Sequence, residues 1–323
     1  MGHFALVVDS RGASLSASTH QTLTLTHADG RTERVGMLAL SSVVVHGDVA
    51  LSTGVLQRLA ANQVALVVMP GRGCGPSVGF TQWPARHAAL RHAQHLAHAK
   101  VGQRLALARI VVLAKLTGME VFRRRWLAVA PPVDEAATHL AVAEAVDIAT
   151  LMGVEGAASA RHMALLGQTY GEGLGFQFTG RNRRPPRDPA NALMSLCYTL
   201  AEAEAARLAA RTGLDLQLGL LHGLHRDRRS LALDLIEPAR PVIDGWVQDL
   251  LLGHRIDVAG HFTPAMGAQL NAAGRARLYP LWFAEGLALA RGPMRGLLAR
   301  ILATLRCVGA DAATVDEGAP ALY

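Results

Sequence analysis

Apolar and polar positions change period once along this chain, near residue 80. Before that point the apolar runs are short and strand-like. FALVVD, QTLTLTHA, TERVGML, SVVVHG and VALVVMP are rich in Val, Leu and Thr, the residue types that suit a pleated, half-buried surface. Ser10-Arg11-Gly12, Ala28-Asp29-Gly30 and Gly47-Asp48 punctuate them as turns. One helix interrupts the series: Ser52 and Thr53 can cap TGVLQRLAANQ before VALVVMP returns as a strand. Gly71, Gly73, Gly75 and Pro76 follow as a loop.

From about Pro84 the texture becomes helical. ARHAALRHAQHLAHAKVGQRLALARIVVLAKLTGM is one long helical pattern with a break near Gly102, and Pro131-Pro132 ends the next piece. DEAATHLAVAEAVDIATLMGVEGAASARHMALLGQTY begins another. FTGRNRRPPRDP (Phe178 to Pro189) has no hydrophobic period and reads as a loop. Helices resume over Ala190 to Thr212, Ser230 to Leu252 and Pro280 to Leu305, and the segment from Gly309 reads as a loosely ordered tail. The pattern predicts an α+β protein. A small β-rich N-terminal domain (residues 1–84) precedes a larger all-α C-terminal domain (85–308), with a tail at 309–323.

Composition sharpens this picture in a few places. Half of the 323 residues are hydrophobic, enough for a substantial core, and much of that is Ala and Leu, which favours helix. The formal charge is +7 and the pI about 10, a balance that fits a polyanionic partner such as nucleic acid and equally a solvated basic surface. Cys74, Cys197 and Cys307 are far apart and odd in number, so neither a zinc spacing nor a disulfide framework is implied. That fits a reducing cytoplasm. MGHFALVVDSRG has no basic leading region and Asp9 breaks its apolar run, so it does not read as a signal peptide. The most apolar stretch, Leu105 to Leu116, is interrupted by Arg109 and Lys115 and is too short to span a bilayer.

The candidate chemistry is acidic and basic. Asp234 and Glu237 in SLALDLIEP are three apart, within about 5–6 Å on one helix face. They suit a divalent cation, a salt bridge or a wet face. His222, after the apolar run ending in GLLH, adds an imidazole; His225 lies in HRDRR, which reads as an exposed loop. Glu155 sits between Gly153 and Gly156 in a helical pattern. Two helical glycines are worth their cost, about 1 kcal/mol each, where a backbone or ligand comes close; tight helix packing is the plainer reading. RNRRPPRDPAN (Arg181 to Asn191) carries four arginines against one Asp on a loop stiffened by Pro-Pro, and guanidinium groups there suit phosphates or simply water. Arg123-Arg124-Arg125 reads as a solvated face. No Walker loop, GxGxxG or GxSxG is present, and Gly71-Arg-Gly-Cys-Gly75 lacks the Lys-Ser/Thr of a phosphate loop and reads as a turn.

Four segments in order resemble the CRISPR-associated integrase family of spacer acquisition. They are Glu155-Gly156 with Ala158, RRPPRDPANALMSLCYTL (Arg183 to Leu200), GLLH (219–222) and SLALDLIEPARPVID (Ser230 to Asp244). The N-terminal strands and the helices bearing Gln94 and Lys115 fit the family's general pattern, so the resemblance covers nearly the whole chain. His162 and Met163 stand where the family usually has an aromatic pair. The resemblance implies that Glu155, His222 and Asp234 bind a divalent metal, Mg²⁺ or Mn²⁺, with Glu237 as a further catalytic acidic position. Arg181, Arg183, Arg184, Arg187 and Arg229 would contact DNA. It further implies a DNA integrase and endonuclease that inserts spacers by 3′-hydroxyl transesterification. The partners it implies are double-stranded DNA, a second copy joined through the β-rich domain, and a small dimeric protein, with no membrane. A transposon-type integrase of the same fold and a non-catalytic DNA-binding subunit are the alternatives.

Overall fold

The computed structural model describes residues 4–19, 21–62, 64–70, 77–80, 88–127, 133–170, 174–182, 185–225, 228–263 and 268–316. The N-terminal part runs β1 (Phe4–Val8), β2 (Ser14–Thr19), β3 (Thr22–Thr26), β4 (Thr32–Gly36), β5 (Leu40–His46), β6 (Ala50–Leu51), helix α1 (Thr53–Ala61), β7 (Ala65–Met69) and β8 (Val78–Phe80). Two four-stranded sheets result, ordered β1-β5-β7-β8 and β4-β3-β2-β6. In the second, β3 alternates between half-buried Thr and buried Leu23 and Leu25, the period of a strand with one face on the core. The Ser52 side chain accepts the Val55 N–H and starts α1, as its sequence indicates.

The first sheet decides how the rest is attached. β1, β5 and β7 are parallel and apolar on both faces. Val43, Val45 and Leu66 point into the β-rich core, while Val44, Val67 and Met69 alternate with them and join the helical core. One sheet thus serves two cores. The boundary read at residue 84 falls on 81–87, outside the described residues, as does the glycine-rich turn at 71–76.

The helical part runs α2 (Ala88–Ala99), α3 (Val101–Trp126), α4 (Glu135–Glu144), α5 (Ile148–Thr169), α6 (Pro189–Thr212), α7 (Ser230–Ile236), α8 (Arg240–Leu252) and α9 (Val258–His261). A two-residue strand pair, β9 (Phe262–Thr263) and β10 (Gln269–Leu270), precedes α10 (Ala272–Leu281) and α11 (Leu287–Asp316). The break expected near Gly102 lies at Lys100, and a second break separates α4 from α5, where the Asp147 carboxylate caps α5. The helix read over Ser230 to Leu252 is two helices joined by a 3-10 turn at Glu237–Ala239, because Pro238 has no N–H to continue the ladder. The segment from Gly309 is helical as far as Asp316. No helix among the described residues is long and apolar enough to cross a membrane.

α3 is the axis of this part. It carries ten buried residues, from Leu105 to Trp126. At two points neighbouring elements come in to backbone distance. A Cβ on Gly118 would lie 2.4 Å from the Pro238 carbonyl oxygen, and one on Gly245 of α8 would lie 2.3 Å from the Trp126 ring. Glycine at these positions lets the 3-10 turn and α8 press against α3.

A buried charge cluster ties α6 to α11. The Glu204 carboxylate accepts from Arg207 (2.7 and 2.8 Å) on its own helix and from Arg291 of α11 (2.6 Å). Burial alone would raise the Glu204 pKa, but the hydrogen bonds and charge of the two guanidinium groups hold it below its ordinary value of 4.5. A carboxylate with a depressed pKa contributes stability that is complete above its unfolded value and is lost as pH falls through the folded one. The melting temperature of the wild type should therefore fall below about pH 4.5. In Glu204→Gln that acid slope should be shallower and the melting temperature at pH 7 lower; thermal melts across this range check both.

Candidate active site

Residues 219–239 and the distant helix α5 converge beside α3 in three parts. The first is the turn before His222. Gln94, fully buried on α2, donates from Nε2 to the Asp215 carbonyl (3.0 Å) and the Leu218 carbonyl (2.9 Å), and its Oε1 accepts from the Asp215 N–H (2.8 Å). Arg104 donates to the Leu220 carbonyl at 3.1 Å. The approach to GLLH is thus fixed by α2 and α3. A Cβ on Gly219 would lie 2.4 Å from the His222 carbonyl oxygen and 2.7 Å from the Ser230 Cβ. The chain can fold back this tightly on the start of α7 only with glycine there.

The second segment is α7, which brings Asp234 under that turn. Asp234 is completely buried. Its Oδ2 accepts the N–H groups of Leu220 (2.5 Å) and Leu221 (3.1 Å), and its Oδ1 accepts the His222 N–H (3.1 Å) and the His222 ring Nδ1 (2.6 Å). Four donors fill the four acceptor sites of one carboxylate. The carboxylate can only accept, so Nδ1 carries a proton and Nε2 is the ring nitrogen left for a ligand. A histidine bonded through one nitrogen to a carboxylate, with the other nitrogen free, is the arrangement common in metal sites.

The third segment is α5 with the 3-10 turn. Lys115 of α3, nearly buried, donates to Glu155 of α5 and lies 2.6 Å from Glu237 Oε2. Ser159 donates to the same Glu155 oxygen at 2.7 Å. The other oxygen of Glu237 accepts from Arg240 at 2.9 Å. Burial would push the Glu237 pKa up; the charges of Arg240, Lys115 and His222 and the Lys115 hydrogen bond outweigh it and hold the carboxyl at about 2. The His222 ring is tied to this region through Asp234, three residues before Glu237 in the chain.

Behind the site a polar chain continues into the core. The Arg240 guanidinium lies 4.6 Å over the Tyr198 ring. Tyr198 donates to the buried Asp244, whose other oxygen faces His162 Nε2 at 2.9 Å, and His162 meets Phe122 edge-on. Burial and the Asp244 charge push the Tyr198 phenol well above its ordinary value. It stays protonated and keeps donating.

The expected site residues therefore fall into two pairs: Glu155 with Glu237, joined by Lys115, and Asp234 with His222. Among the described residues no three His, Cys, Asp or Glu side chains already stand in a metal-holding cluster. The donor chemistry nevertheless fits a divalent ion, since two carboxylates from separate elements already converge on one cation, the Lys115 ammonium. Gly153 and Gly156 do not serve tight packing: a Cβ on either would meet nothing within 4 Å. Both are exposed, so the surface next to Glu155 is low and open.

The basic residues divide as sharply. Arg181 is built into the loop, donating to the Asn182 carbonyl (2.6 Å), Asn191 Oδ1 (2.7 Å) and Ser195 Oγ (2.9 Å). Buried Asn191 also donates to Gly180 O (2.9 Å) and Asp188 Oδ2 (2.7 Å), while Asp188 caps α6. Arg229 pairs with Glu202 at 3.1 Å. Arg187 is exposed, and Arg183 and Arg184 lie outside the described residues. Arg124, paired with Glu120, and Arg125, over Trp126, are exposed as on a solvated face, whereas Arg123 is largely buried and pairs with Glu135. His225 is exposed on the loop before α7. Lys115, Arg240, Gln94 and Arg104 were not singled out as site residues from sequence. The available signal was a charged or amide side chain inside an apolar helical run, as in IVVLAKLTGM.

Asp234→Asn should turn an amide N–H₂ towards N–H donors and lose about 1.5–3 kcal/mol, the worth of hydrogen bonds to a charged group. Urea unfolding measures the loss.

The family model described as CRISPR associated protein Cas1 matches residues 6–283 of the chain. A protein of Thermodesulfovibrio yellowstonii named CRISPR-associated endonuclease Cas1 1 is 30% identical over 280 residues, covering 81% of this chain and 86% of its own. Among solved structures, a Cas1 protein from Thermotoga maritima superposes with a TM-score of 0.81 at 23% identity, covering 94% of this chain and 97% of that one. A casposase bound to integration product superposes with a TM-score of 0.77 at 18% identity, covering 89% of this chain and 83% of that one.

Proposed function

Because the chain belongs to the Cas1 family of CRISPR-associated endonucleases, we propose that it is a divalent-metal-dependent DNA integrase whose Mg²⁺ or Mn²⁺ is held by Glu155, His222 and Glu237. The observation that carries this is the convergence of Glu155 and Glu237 on one cation, Lys115, with His222 held by Asp234 three residues before Glu237. Asp234, expected from sequence among the ligands, has its acceptor sites filled by three backbone N–H groups and the imidazole. Its part is to aim His222 Nε2 at the site. When bound, the ion polarises the scissile phosphate and lowers the pKa of the attacking hydroxyl.

The remaining work belongs to the chain's own groups. Glu155, on an open face between two glycines, leaves room for a DNA backbone to approach. Arg240 keeps Glu237 ionised and fixes one of its oxygens, so that the other faces Lys115. The reaction is attack of a DNA 3′-hydroxyl on a phosphodiester at a CRISPR repeat boundary. The 3′-oxygen forms the new ester, and the displaced 3′-oxygen of the repeat leaves with a proton. Water in place of the hydroxyl gives nuclease activity. Arg187 and its neighbours Arg183 and Arg184 hold phosphates, whereas Arg181 keeps the loop in shape. A second copy docks through the β-rich domain. In support, β8 ends its sheet and exposes Val78 and Phe80. A small dimeric protein joins two such dimers, and the complex works in the cytoplasm.

Joining of a labelled short duplex to a repeat-bearing plasmid in Mn²⁺, with the partner protein present, tests this reading. The wild type should join label. His222→Ala and Glu237→Ala should remain folded and bind DNA but lose joining by about a hundred- to a thousandfold, as expected when a positioned transition-state charge is removed. Joining at wild-type rates by Glu237→Ala would exclude it as a ligand. In DNA-binding titrations at several salt concentrations, Arg187→Ala should reduce the salt slope by about one. An unchanged slope would remove it from the phosphate contacts.

A further inference from the structure

We propose that the Lys115 ammonium is a built-in counter-cation that holds the place of the divalent ion between Glu155 and Glu237 and is displaced when the ion binds. The inference rests on the reading of those two carboxylates and His222 as the ion's ligands, and it goes beyond it by assigning the lysine a role in setting metal affinity.

Lys115 is an unusual residue for its position. It lies in an apolar part of α3, between Val111, Val112 and Met119, and is nearly buried. A lysine there loses its hydration, so it is retained only with close carboxylate partners. It has two, from different elements: Glu155 on α5 and Glu237 on the 3-10 turn. Gly118, one turn further along α3, is what allows that turn to come so near. The fold thus brings two carboxylates to the lysine by means of a close backbone contact, rather than leaving the pair to chance.

The charge balance shows why the ammonium must give way. Without the ion, Glu155 and Glu237 carry two negative charges, and Lys115 and Arg240 carry two positive ones. These four groups balance one another, while the Asp234 charge is spread over its own backbone N–H donors. A divalent ion would add two further positive charges to this neutral group. It would also need the same oxygens, Glu155 Oε1 and Glu237 Oε2, that the ammonium now holds. Arg240 is not in competition, since it binds the other Glu237 oxygen and stacks on Tyr198. Lys115 is the cation that must leave. Its departure sets a threshold: the ion binds only where it outcompetes a tethered ammonium.

Calorimetric titration of Mn²⁺ into the metal-free full chain, without DNA, tests this with no reference to activity. Lys115→Met should bind Mn²⁺ about tenfold more tightly than the wild type, since one competing charge in a partly buried site is gone. Lys115→Arg should bind it more weakly, because a guanidinium grips two carboxylates as a fork. Without metal, Lys115→Met should melt lower than the wild type, and its rise in melting temperature on adding Mn²⁺ should be larger. If the wild type binds Mn²⁺ and Lys115→Met binds it equally or more weakly, the lysine arranges the ligands instead of competing with the ion, and the proposal is overturned. Should Lys115→Met fail to fold, Lys115→Arg decides: unchanged or tighter binding overturns the proposal. Absence of Mn²⁺ binding by the wild type itself would instead overturn the assignment of the ligands.

Discussion

The Asp234 carboxylate is buried against three consecutive backbone N–H groups, and the geometry of the site follows from satisfying it. A buried ionised carboxylate needs its lone pairs filled. The turn at residues 219–222 does this only by folding back onto α7, with no side chain at Gly219. That fold-back presents the His222 ring to the same carboxylate and so fixes its tautomer and direction. Gln94 and Arg104 brace the turn from the other side. What begins as a hydrogen-bonding requirement ends as the aim of one imidazole nitrogen.

The second constraint is electrostatic. Glu155 and Glu237 belong to elements that pack on the same long helix, and their mutual repulsion in a dry setting must be offset. Lys115 and Arg240 do so, each from its own direction. Two small residues make the packing possible: Gly118 on α3 and Gly245 on α8. The site is thus a consequence of how closely the 3-10 turn and α8 approach α3, and Pro238 forces that turn to exist. Further in, Tyr198, Asp244 and His162 extend the polar chain and hold Arg240 from behind.

Much of this was legible in the sequence. The Val-rich runs of β5 and β7, the cap at Ser52 and the helical run of α3 follow from period and residue type. The strand β2, SLSAST, was not legible, because small Ser and Ala side chains give no apolar alternation; its partner β3 supplies the buried leucines. The break between α7 and α8 was visible only as a proline. Spacing alone placed Asp234 and Glu237 on one helical face, suited to a cation, a salt bridge or water. The chain leaves the α-helix after Ile236, however, so the two carboxylates face different partners. Asp234 looks to backbone N–H groups and Glu237 to Lys115. The arginines of RNRRPPRDPAN looked equivalent as a run of charge, whereas tertiary contacts bury Arg181 in the loop's own hydrogen bonds and leave Arg187 exposed. No local pattern carries that difference.

The central claim is that Glu155, His222 and Glu237 hold the ion while Asp234 holds His222. The most direct measurement is a crystal structure of the protein soaked in Mn²⁺, with the ion located by its anomalous scattering. The account predicts a peak bonded to Glu155, His222 Nε2 and Glu237. Asp234 should remain on its backbone N–H donors, and the Lys115 ammonium should have moved off both glutamates. A peak bonded to the Asp234 carboxylate, with the 220–222 turn released from it, would contradict the account.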